Sequence, residues 1–251
     1  MSKTFLIQTV DGMIVHDFAF YLIEAIKYHS WYYKKDSQYS YILSKTTDRP
    51  KLNIHQYRPL TEIIPIGTVE FVLEYLERHY DINGIKPLNI PLELMKPEYL
   101  KRWVKYDSNN TTVFNAGDTP IFVKDNTKIK GFTNIIYPNQ GYPVGEYMIS
   151  EFVEIESEWR VFVFNGKLEG LQNYSGDFIL FPDVKTIMKM VIDYKSAPKA
   201  YTLDVGVNHK GTFVIEVHDF FSCGLYGFSD YKLLPKMFIS TWNKLNGENK
   251  T

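Results

Sequence analysis

Two acids and a histidine near the end of the chain have types and spacing that suit metal binding. In the stretch YTLDVGVNHKGTFVIEVHDFF, residues 201–221, Asp204, Glu216 and His218 occupy even positions, while most odd positions are apolar. Such alternation predicts two strands that bury one face. The HKG segment favours a three-residue hairpin loop with a bulge, which sets Asp204 directly opposite Glu216. Facing like charges oppose folding by about 0.2–1 kcal/mol, so a shared cation is a reason to keep both acids.

The ligand types indicate which cation this hairpin would hold. Magnesium takes one or two carboxylates and completes its shell with water and phosphate oxygens. His218 lies two residues beyond Glu216 on the same face, close enough to assist. Imidazole is a poorer partner for magnesium than for manganese or zinc. A solvated outer face with chance acids is the alternative to a metal site.

Composition excludes several classes of protein. The chain has 251 residues, is 45% hydrophobic and carries a net charge of −1, which favours neither a nucleic-acid partner nor a membrane partner. The one cysteine, Cys223, excludes an internal disulfide framework and fits a reducing cytoplasm. The first residues lack the apolar core and cleavage site of a signal peptide, and no apolar run approaches a membrane-spanning length. We expect a soluble cytoplasmic protein.

Two kinds of segment must position the candidate residues. The first hundred residues alternate strand and helix signals, with a helix expected over residues 16–33 and a second helix capped by Thr68 that ends near Gly84. A helix pair is expected over residues 92–107. From Pro120 onward the chain is rich in strands, followed by helices from Asp183 to about Lys195 and from Pro235 to Leu245. We therefore predict an α/β (α+β) fold with domains at residues 1–110 and 111–251.

A second hairpin is marked by Asn165-Gly166, a strong two-residue turn signal. If Phe164 pairs with Lys167, counting back sets Glu158 opposite Asn173 and Arg160 opposite Leu171. Glu158, Arg160 and Asn173 would then share one face of this strand pair. Alternation also places Lys124 of IFVKD beside Phe122 on an inward face, where a buried lysine needs a counter-charge. An exposed lysine on an edge strand is the alternative.

Five stretches match a known family in their order and spacing: IPIGTVEFV, PIFVKDNTKIKGFTN, ISEFVEIESEWRVFV, LDVGV and VIEVHDFFSCGLYGF. Together they resemble the ATP-grasp family, specifically its smaller RimK-related members of bacteria and phages, over about residues 60–235. The resemblance implies an ATP-grasp fold, in which antiparallel-sheet nucleotide-binding subdomains follow a small α/β domain. It also implies ATP and Mg²⁺, with Mn²⁺ as a possible substitute.

The resemblance implies a role for each candidate residue. Lys124 would meet the nucleotide phosphates, and Lys128 and Lys130 would belong to a mobile loop that covers them, although lysines are common in polar loops. Glu158 would meet the ribose hydroxyls, and Arg160 would reach toward phosphate or substrate. A surface ion pair between those two residues is the alternative. Backbone groups that hold adenine would come from Glu151, Phe152 and Val153.

The resemblance likewise implies that Asp204 and Glu216 hold magnesium on neighbouring strands. The family usually has EVN where this chain has EVH, so His218 departs from the pattern. A metal ligand, a donor to a metal ligand, a substrate contact and a packed histidine without a chemical role all stay open for His218.

The activity that the resemblance implies is ATP-dependent carboxylate–amine ligation through an acylphosphate, with release of ADP. The substrates would be small-molecule, peptide or protein carboxylates and amines, without a nucleic acid or membrane partner. A metal-dependent nuclease is one alternative, since carboxylates, EVH and lysines suit water activation at a phosphodiester. A non-catalytic nucleotide-binding module that acts through a protein partner is the other.

Overall fold

The computed structural model describes residues 3–34, 38–44, 63–109 and 117–247, and these fall into two compact units. The first unit comprises Met1–Asn83, Pro198–Tyr201 and Asp219–Thr251, and the second comprises Gly84–Ala197 and Thr202–His218. The domains at residues 1–110 and 111–251 divide the chain by expected role rather than by contact, and that division stays a prediction.

The helices and strands of the described residues follow in chain order. The strands are β1 (Lys3–Ile7), β2 (Tyr39–Leu43), β3 (Ile63–Ile66), β4 (Val104–Asn109), β5 (Ile121–Asp125), β6 (Thr133–Ile136), β7 (Gly145–Glu151), β8 (Ser157–Phe164), β9 (Lys167–Gly176), β10 (Ala200–Asn208) and β11 (Gly211–Asp219). The α-helices are α1 (Asp17–Tyr33), α2 (Val69–Tyr80), α3 (Pro97–Leu100), α4 (Val184–Asp193) and α5 (Leu234–Leu245).

The first unit contains a parallel sheet of order β2-β1-β3. Helix α1 covers the predicted residues and buries Phe18, Leu22 and Ile26, the face that its apolar spacing indicates. Helix α2 begins at the predicted cap, where the Thr68 side chain accepts a hydrogen bond from the backbone of Phe71. It ends at Tyr80 rather than near Gly84, because Asp81 adopts a left-handed conformation at φ 54° and closes the last turn.

The second unit contains two four-stranded sheets, of orders β4-β7-β5-β6 and β11-β10-β8-β9. The helix pair expected over residues 92–107 is shorter than predicted. Leu92–Leu94 is one turn of 3₁₀ helix and α3 has four residues. Lys101 ends α3 in a left-handed conformation at φ 52°, after which the chain alternates in exposure as β4. Strand β6, which the sequence analysis does not predict, pairs with β5.

The hairpin of β8 and β9 confirms the predicted turn but not the predicted register. Asn165 and Gly166 both have positive φ, and Phe164 pairs with Lys167 as expected. Irregularities then shift the pairing twice, so that Arg160 faces Gln172 and Glu158 faces Ser175. The predicted pairs with Leu171 and Asn173 are therefore wrong. Each bulge adds one residue to β9, which simple counting from the turn does not include.

The hairpin of β10 and β11 differs from the prediction in its burial. The strand bounds leave only His209 and Lys210 between the strands, and Gly211 has a φ of +98°, the positive value that the bulged turn requires. Strand β10 is buried on both faces rather than one, so that Thr202 and Asp204 are as inaccessible as their apolar neighbours. Asp204 therefore needs internal partners for its charge.

Candidate functional site

A cavity of about 650 Å³ in the second unit draws its walls from both four-stranded sheets. Cavities of this size are typical of small-molecule sites. Charged and polar groups line one part, including Arg102, Glu158, Tyr174 and Glu216. The apolar part of the lining consists of Phe122, Ile135, Phe152, Val153, Ile155 and Ile215. Apolar walls with a few convergent charges are the usual composition of a ligand pocket.

The most buried charge pair beside this cavity joins β8 to β10. Arg160 Nε lies 2.9 Å from Asp204 Oδ1, and Arg160 Nη2 lies 2.7 Å from Asp204 Oδ2. The side chains of Arg160 and Asp204 are only 10% and 2% exposed. A guanidinium that grips both oxygens of a carboxylate fixes its orientation. The fork of Arg160 therefore contacts Asp204 directly, whereas the resemblance implies that Arg160 reaches toward phosphate or substrate.

A second ion pair crosses between the two sheets. Lys124 Nζ on β5 pairs with Glu216 Oε2 on β11, and the two side chains are 18% and 19% exposed. Burial lowers the pKa of Lys124 to about 8, and the charge of Asp204 opposes this shift. The prediction that Lys124 shares the inward face of β5 and needs a counter-charge is confirmed, with Glu216 as that counter-charge.

Asp204, Glu216 and His218 offer ligand atoms that lie within 4.8 Å of one another, close enough for one cation to contact all three residues. His218 Nε2 lies 2.9 Å from Glu216 Oε1 and 3.8 Å from Asp204 Oδ2. Two carboxylates fit magnesium or manganese, and the imidazole favours manganese of the two. Arg160 and Lys124 balance the charges of these two acids in the structure. The ligand types and the spacing of Asp204, Glu216 and His218 fit a divalent metal.

The expected adenine-binding segment lines the same cavity. Glu151, Phe152 and Val153 follow one another at the end of β7, and all three contribute to the walls. The backbone N–H of Glu151 donates to the carbonyl of Trp103 at 3.1 Å, which ties this segment to the residues before β4. Glu158 also lines the cavity, as the resemblance implies for a ribose-binding acid.

Lys128 and Lys130 lie in the turn between β5 and β6 and are not among the lining residues of this cavity. Asp125 organises that turn, because its Oδ1 accepts hydrogen bonds from the backbone N–H groups of Thr127 and Lys128 at 2.7 and 2.9 Å. A phosphate-covering role for the two lysines stays a prediction.

Arg102 is a cavity residue that the sequence analysis does not identify. Its Nη1 donates to the carbonyls of Leu100 and Val214 at 3.1 and 2.9 Å, and its guanidinium carbon lies 5.2 Å from the centre of the Phe213 ring. Burial lowers the pKa of Arg102 to about 10. No sequence signal distinguishes it from the adjacent Lys101, because only the structure shows which of the two turns inward.

Tyr174 is the second such residue. It is the extra residue of the bulge in β9, which lies between the partners of Glu158 and Trp159. Its hydroxyl donates to Glu158 Oε2 at 2.8 Å, and its ring centre lies 5.5 Å from the Arg160 guanidinium carbon. Asn173, which was expected on this face, instead donates its amide to Ser157 Oγ and to the carbonyls of Glu158 and Ser175.

Comparisons with known proteins address the fold of the whole chain. Residues 99–234, more than half of the chain, match the family model of the ATP-grasp domain, R-2-K clade family 2. No curated protein matches the sequence. Among the described residues, no helix is both long and apolar enough to span a membrane.

Several solved structures share the fold at low sequence identity. D-alanine–D-alanine ligase from Bacillus anthracis, complexed with ATP, is 13% identical with a TM-score of 0.53, over 98% of this chain and 99% of that chain. D-cycloserine synthetase DcsG is 10% identical with a TM-score of 0.55, over 96% and 99%. The ATP-grasp ligase PsnB, complexed with a minimal precursor, is 9% identical with a TM-score of 0.52, over 96% and 100%. These likenesses confirm the predicted fold class.

Proposed function

Because this chain belongs to the ATP-grasp domain family of the R-2-K clade, family 2, we propose that it is an ATP-dependent carboxylate–amine ligase. The observation that carries this proposal is the cavity itself, in which apolar walls adjoin Glu216, an acid that pairs with Lys124. The buried pair of Arg160 and Asp204 lies next to Glu216, because ligand atoms of the two acids are within 4.8 Å of each other. The apolar walls suit a nucleotide base, the lysine suits phosphates, and the acids suit a metal ion. The alternative of a nuclease does not account for the apolar part.

In the proposed complex the adenine lies against Phe152 and Val153, and Glu158 accepts hydrogen bonds from the ribose hydroxyls. Lys124 exchanges its ion pair with Glu216 for the nucleotide phosphates. Such an exchange keeps a buried ammonium paired in both states, which avoids the large cost of leaving it alone in an apolar site. Glu216 is then available to a metal when the nucleotide is bound.

Asp204 and Glu216 would hold Mg²⁺, with Mn²⁺ as a substitute, and His218 is close enough to ligate or to donate to Glu216. A bound divalent ion neutralises charge on the phosphoryl oxygens. The fork of Arg160 fixes the orientation of Asp204 in advance, so little reorganisation is required of that acid.

The proposed reaction has two steps. An oxygen of the substrate carboxylate attacks the γ-phosphorus of ATP, the bond to the β–γ bridging oxygen breaks, and ADP leaves with that electron pair. The nitrogen of the amine then attacks the acyl carbon of the acylphosphate, inorganic phosphate leaves, and the amine loses a proton to form the amide. Positioning and charge neutralisation supply most of the catalysis of such transfers, and Lys124 is the basic group placed to provide both.

Glu216→Gln is the sharpest test of the metal and phosphate assignment, because Glu216 is more exposed than Asp204 and is not held in a buried fork. We expect the variant to fold, to bind Mg²⁺-ATP more weakly and to lose ADP release in a panel of amino acids and short peptides. Hydroxylamine should trap the acylphosphate as a hydroxamate with the wild-type protein only. Glu146→Gln, at an exposed position on β7, is the matched control.

Three outcomes would each contradict a part of the proposal. Full ADP release by Glu216→Gln would remove the metal-site assignment. Cleavage of a phosphodiester by the wild-type protein with metal alone, together with no stabilisation by ATP, would favour the nuclease. ATP binding without ADP release for any substrate would favour the binding module.

We also propose a cytoplasmic location, where ATP and magnesium are available and thiols stay reduced. Cys223 is buried and takes part in no disulfide, which is consistent with such an environment. Measurement of the protein in fractionated cells tests this expectation.

A further inference from the structure

We propose that Tyr174 is a positioning residue that makes the site selective for ribonucleotides, because it orients Glu158 toward the ribose hydroxyls. This inference rests on the proposed binding of ATP and adds to it the group that determines sugar selectivity. Tyr174 and Glu158 both line the cavity, on β9 and β8.

The bulge in β9 is what brings the Tyr174 side chain to this place. In a regular ladder the partners of Trp159 and Glu158 would be consecutive residues, whereas here Tyr174 lies between those partners, Asn173 and Ser175. Bulges commonly re-aim one side chain beside a functional site. The result is a tyrosine hydroxyl at 2.8 Å from Glu158 Oε2.

In this hydrogen bond Tyr174 is the donor and Glu158 is the acceptor. Burial, together with the charges of Asp204 and Glu158, raises the pKa of Tyr174, so its hydroxyl keeps the proton and donates a hydrogen bond to the carboxylate. A carboxylate that is held at one oxygen by a fixed donor has fewer orientations available to the rest of the group. Sites that are built to hydrogen-bond a substrate hydroxyl reject analogues that lack it, and they do so more strongly when the acceptor is preorganised.

Tyr174 also contacts Arg160 through its ring. The Arg160 guanidinium carbon lies 5.5 Å from the ring centre, while the fork of Arg160 grips Asp204. Such a cation–π contact helps to hold the guanidinium plane. Removal of the hydroxyl alone should therefore change sugar recognition, and removal of the ring should in addition loosen Arg160.

The test is the affinity for ATP, 2′-deoxy-ATP and 3′-deoxy-ATP with Mg²⁺, measured by calorimetry on the full chain. We expect the wild type to prefer ATP and Tyr174→Phe to bind ATP about ten- to hundredfold more weakly, the effect of one hydrogen bond to a charged group. Its affinity for at least one deoxy analogue should stay near the wild-type value, so that the preference for ribose falls. Tyr106→Phe removes another part-buried hydroxyl, which contacts Ile90, and should leave the preference unchanged.

A double-mutant cycle with Glu158→Ala tests whether Tyr174 acts through Glu158. In the Glu158→Ala background the further change Tyr174→Phe should have no effect on sugar preference, because the positioned group is absent. A wild-type sugar preference in Tyr174→Phe, or additive effects in the cycle, would overturn the inference, while ATP binding by the wild type would leave the proposed nucleotide site in place. Failure of the wild type to bind any of the three nucleotides would overturn both.

Discussion

At the scale of single residues, the two acids of the candidate metal site differ more than their similar sequence setting suggests. Asp204 is almost fully buried and held by both arms of a guanidinium, whereas Glu216 is partly exposed and contacts a lysine and a histidine. The Asp204 carboxylate therefore contributes to stability as well as to the site. Glu216 is the more adaptable group and the one that can exchange partners when a ligand binds.

The first prediction follows from this difference. Asp204→Asn should lower the free energy of unfolding by about 3–5 kcal/mol, because it removes the charge of one member of a buried, doubly hydrogen-bonded ion pair. Glu216→Gln should cost less, since burial already lowers the pKa of Lys124 to about 8, so this lysine can lose its proton when the acid is removed. Urea unfolding of both variants, with Glu146→Gln as the exposed control, measures the contrast. Equal losses for the two acids would show that the Arg160 fork stabilises the fold no more than the pair of Lys124 and Glu216 does.

A second prediction concerns His79 on α2. Burial lowers the pKa of His79 below its ordinary value of 6.5, and the charge of Arg78 adds to the shift. The unfolded chain then binds a proton more readily than the folded chain, so stability is kept above pH 6.5 and falls as the pH drops through that value. Comparison of unfolding midpoints between about pH 7 and pH 5 should show a weaker pH dependence in His79→Asn than in the wild type. An unchanged dependence in the variant would contradict the assignment to His79.

At the scale of elements, turns were predictable from the sequence and the bulges within β9 were not. Asn165-Gly166 predicts its turn because positive φ at both positions is a local property of these residue types. The two bulges in β9 depend instead on how the strand packs across the sheet, which no local pattern records. That is why counting along the sequence placed Asn173 beside Glu158, and why the contact of Tyr174 with Glu158 was missed.

The third prediction tests that turn. Gly166 has a φ of +71°, and a Cβ atom there would meet no atom within 4 Å. Gly166→Ala should therefore destabilise the protein by about 1–2 kcal/mol through backbone strain alone. If φ were negative, alanine would instead stabilise the protein by about 0.4–1 kcal/mol. The sign of the change in the free energy of unfolding therefore distinguishes a positive φ from a negative one. Urea unfolding measures it, with Asn165→Gly as a control expected to be nearly neutral.

At the scale of the whole molecule, strand-rich and helix-rich segments were predictable, and so was the shared face of Lys124 and Phe122, because all three follow from apolar spacing. Burial of both faces of β10 was not, since alternation predicts one solvated face and says nothing about a neighbouring layer. The partners of the buried charges were missed for the same reason. Arg160 and Asp204 are 44 residues apart, and their fork exists only because β8 and β10 are neighbours in one sheet.

The last prediction concerns the coupling between these sheets. Lys124 belongs to one sheet and Glu216 to the other, and the proposed binding of ATP and a metal would separate this pair. Lys124→Met removes a positive charge that competes with a metal ion for Glu216 and that would attract the nucleotide phosphates. We expect Mn²⁺ binding without nucleotide to strengthen and ATP binding to weaken, each by about tenfold. Lys124→Arg keeps the charge and should leave Mn²⁺ affinity near the wild-type value. Opposite changes of the two affinities cannot come from damage to the fold, whereas a fall in both would show that the ion pair is structural and that the proposed exchange does not occur.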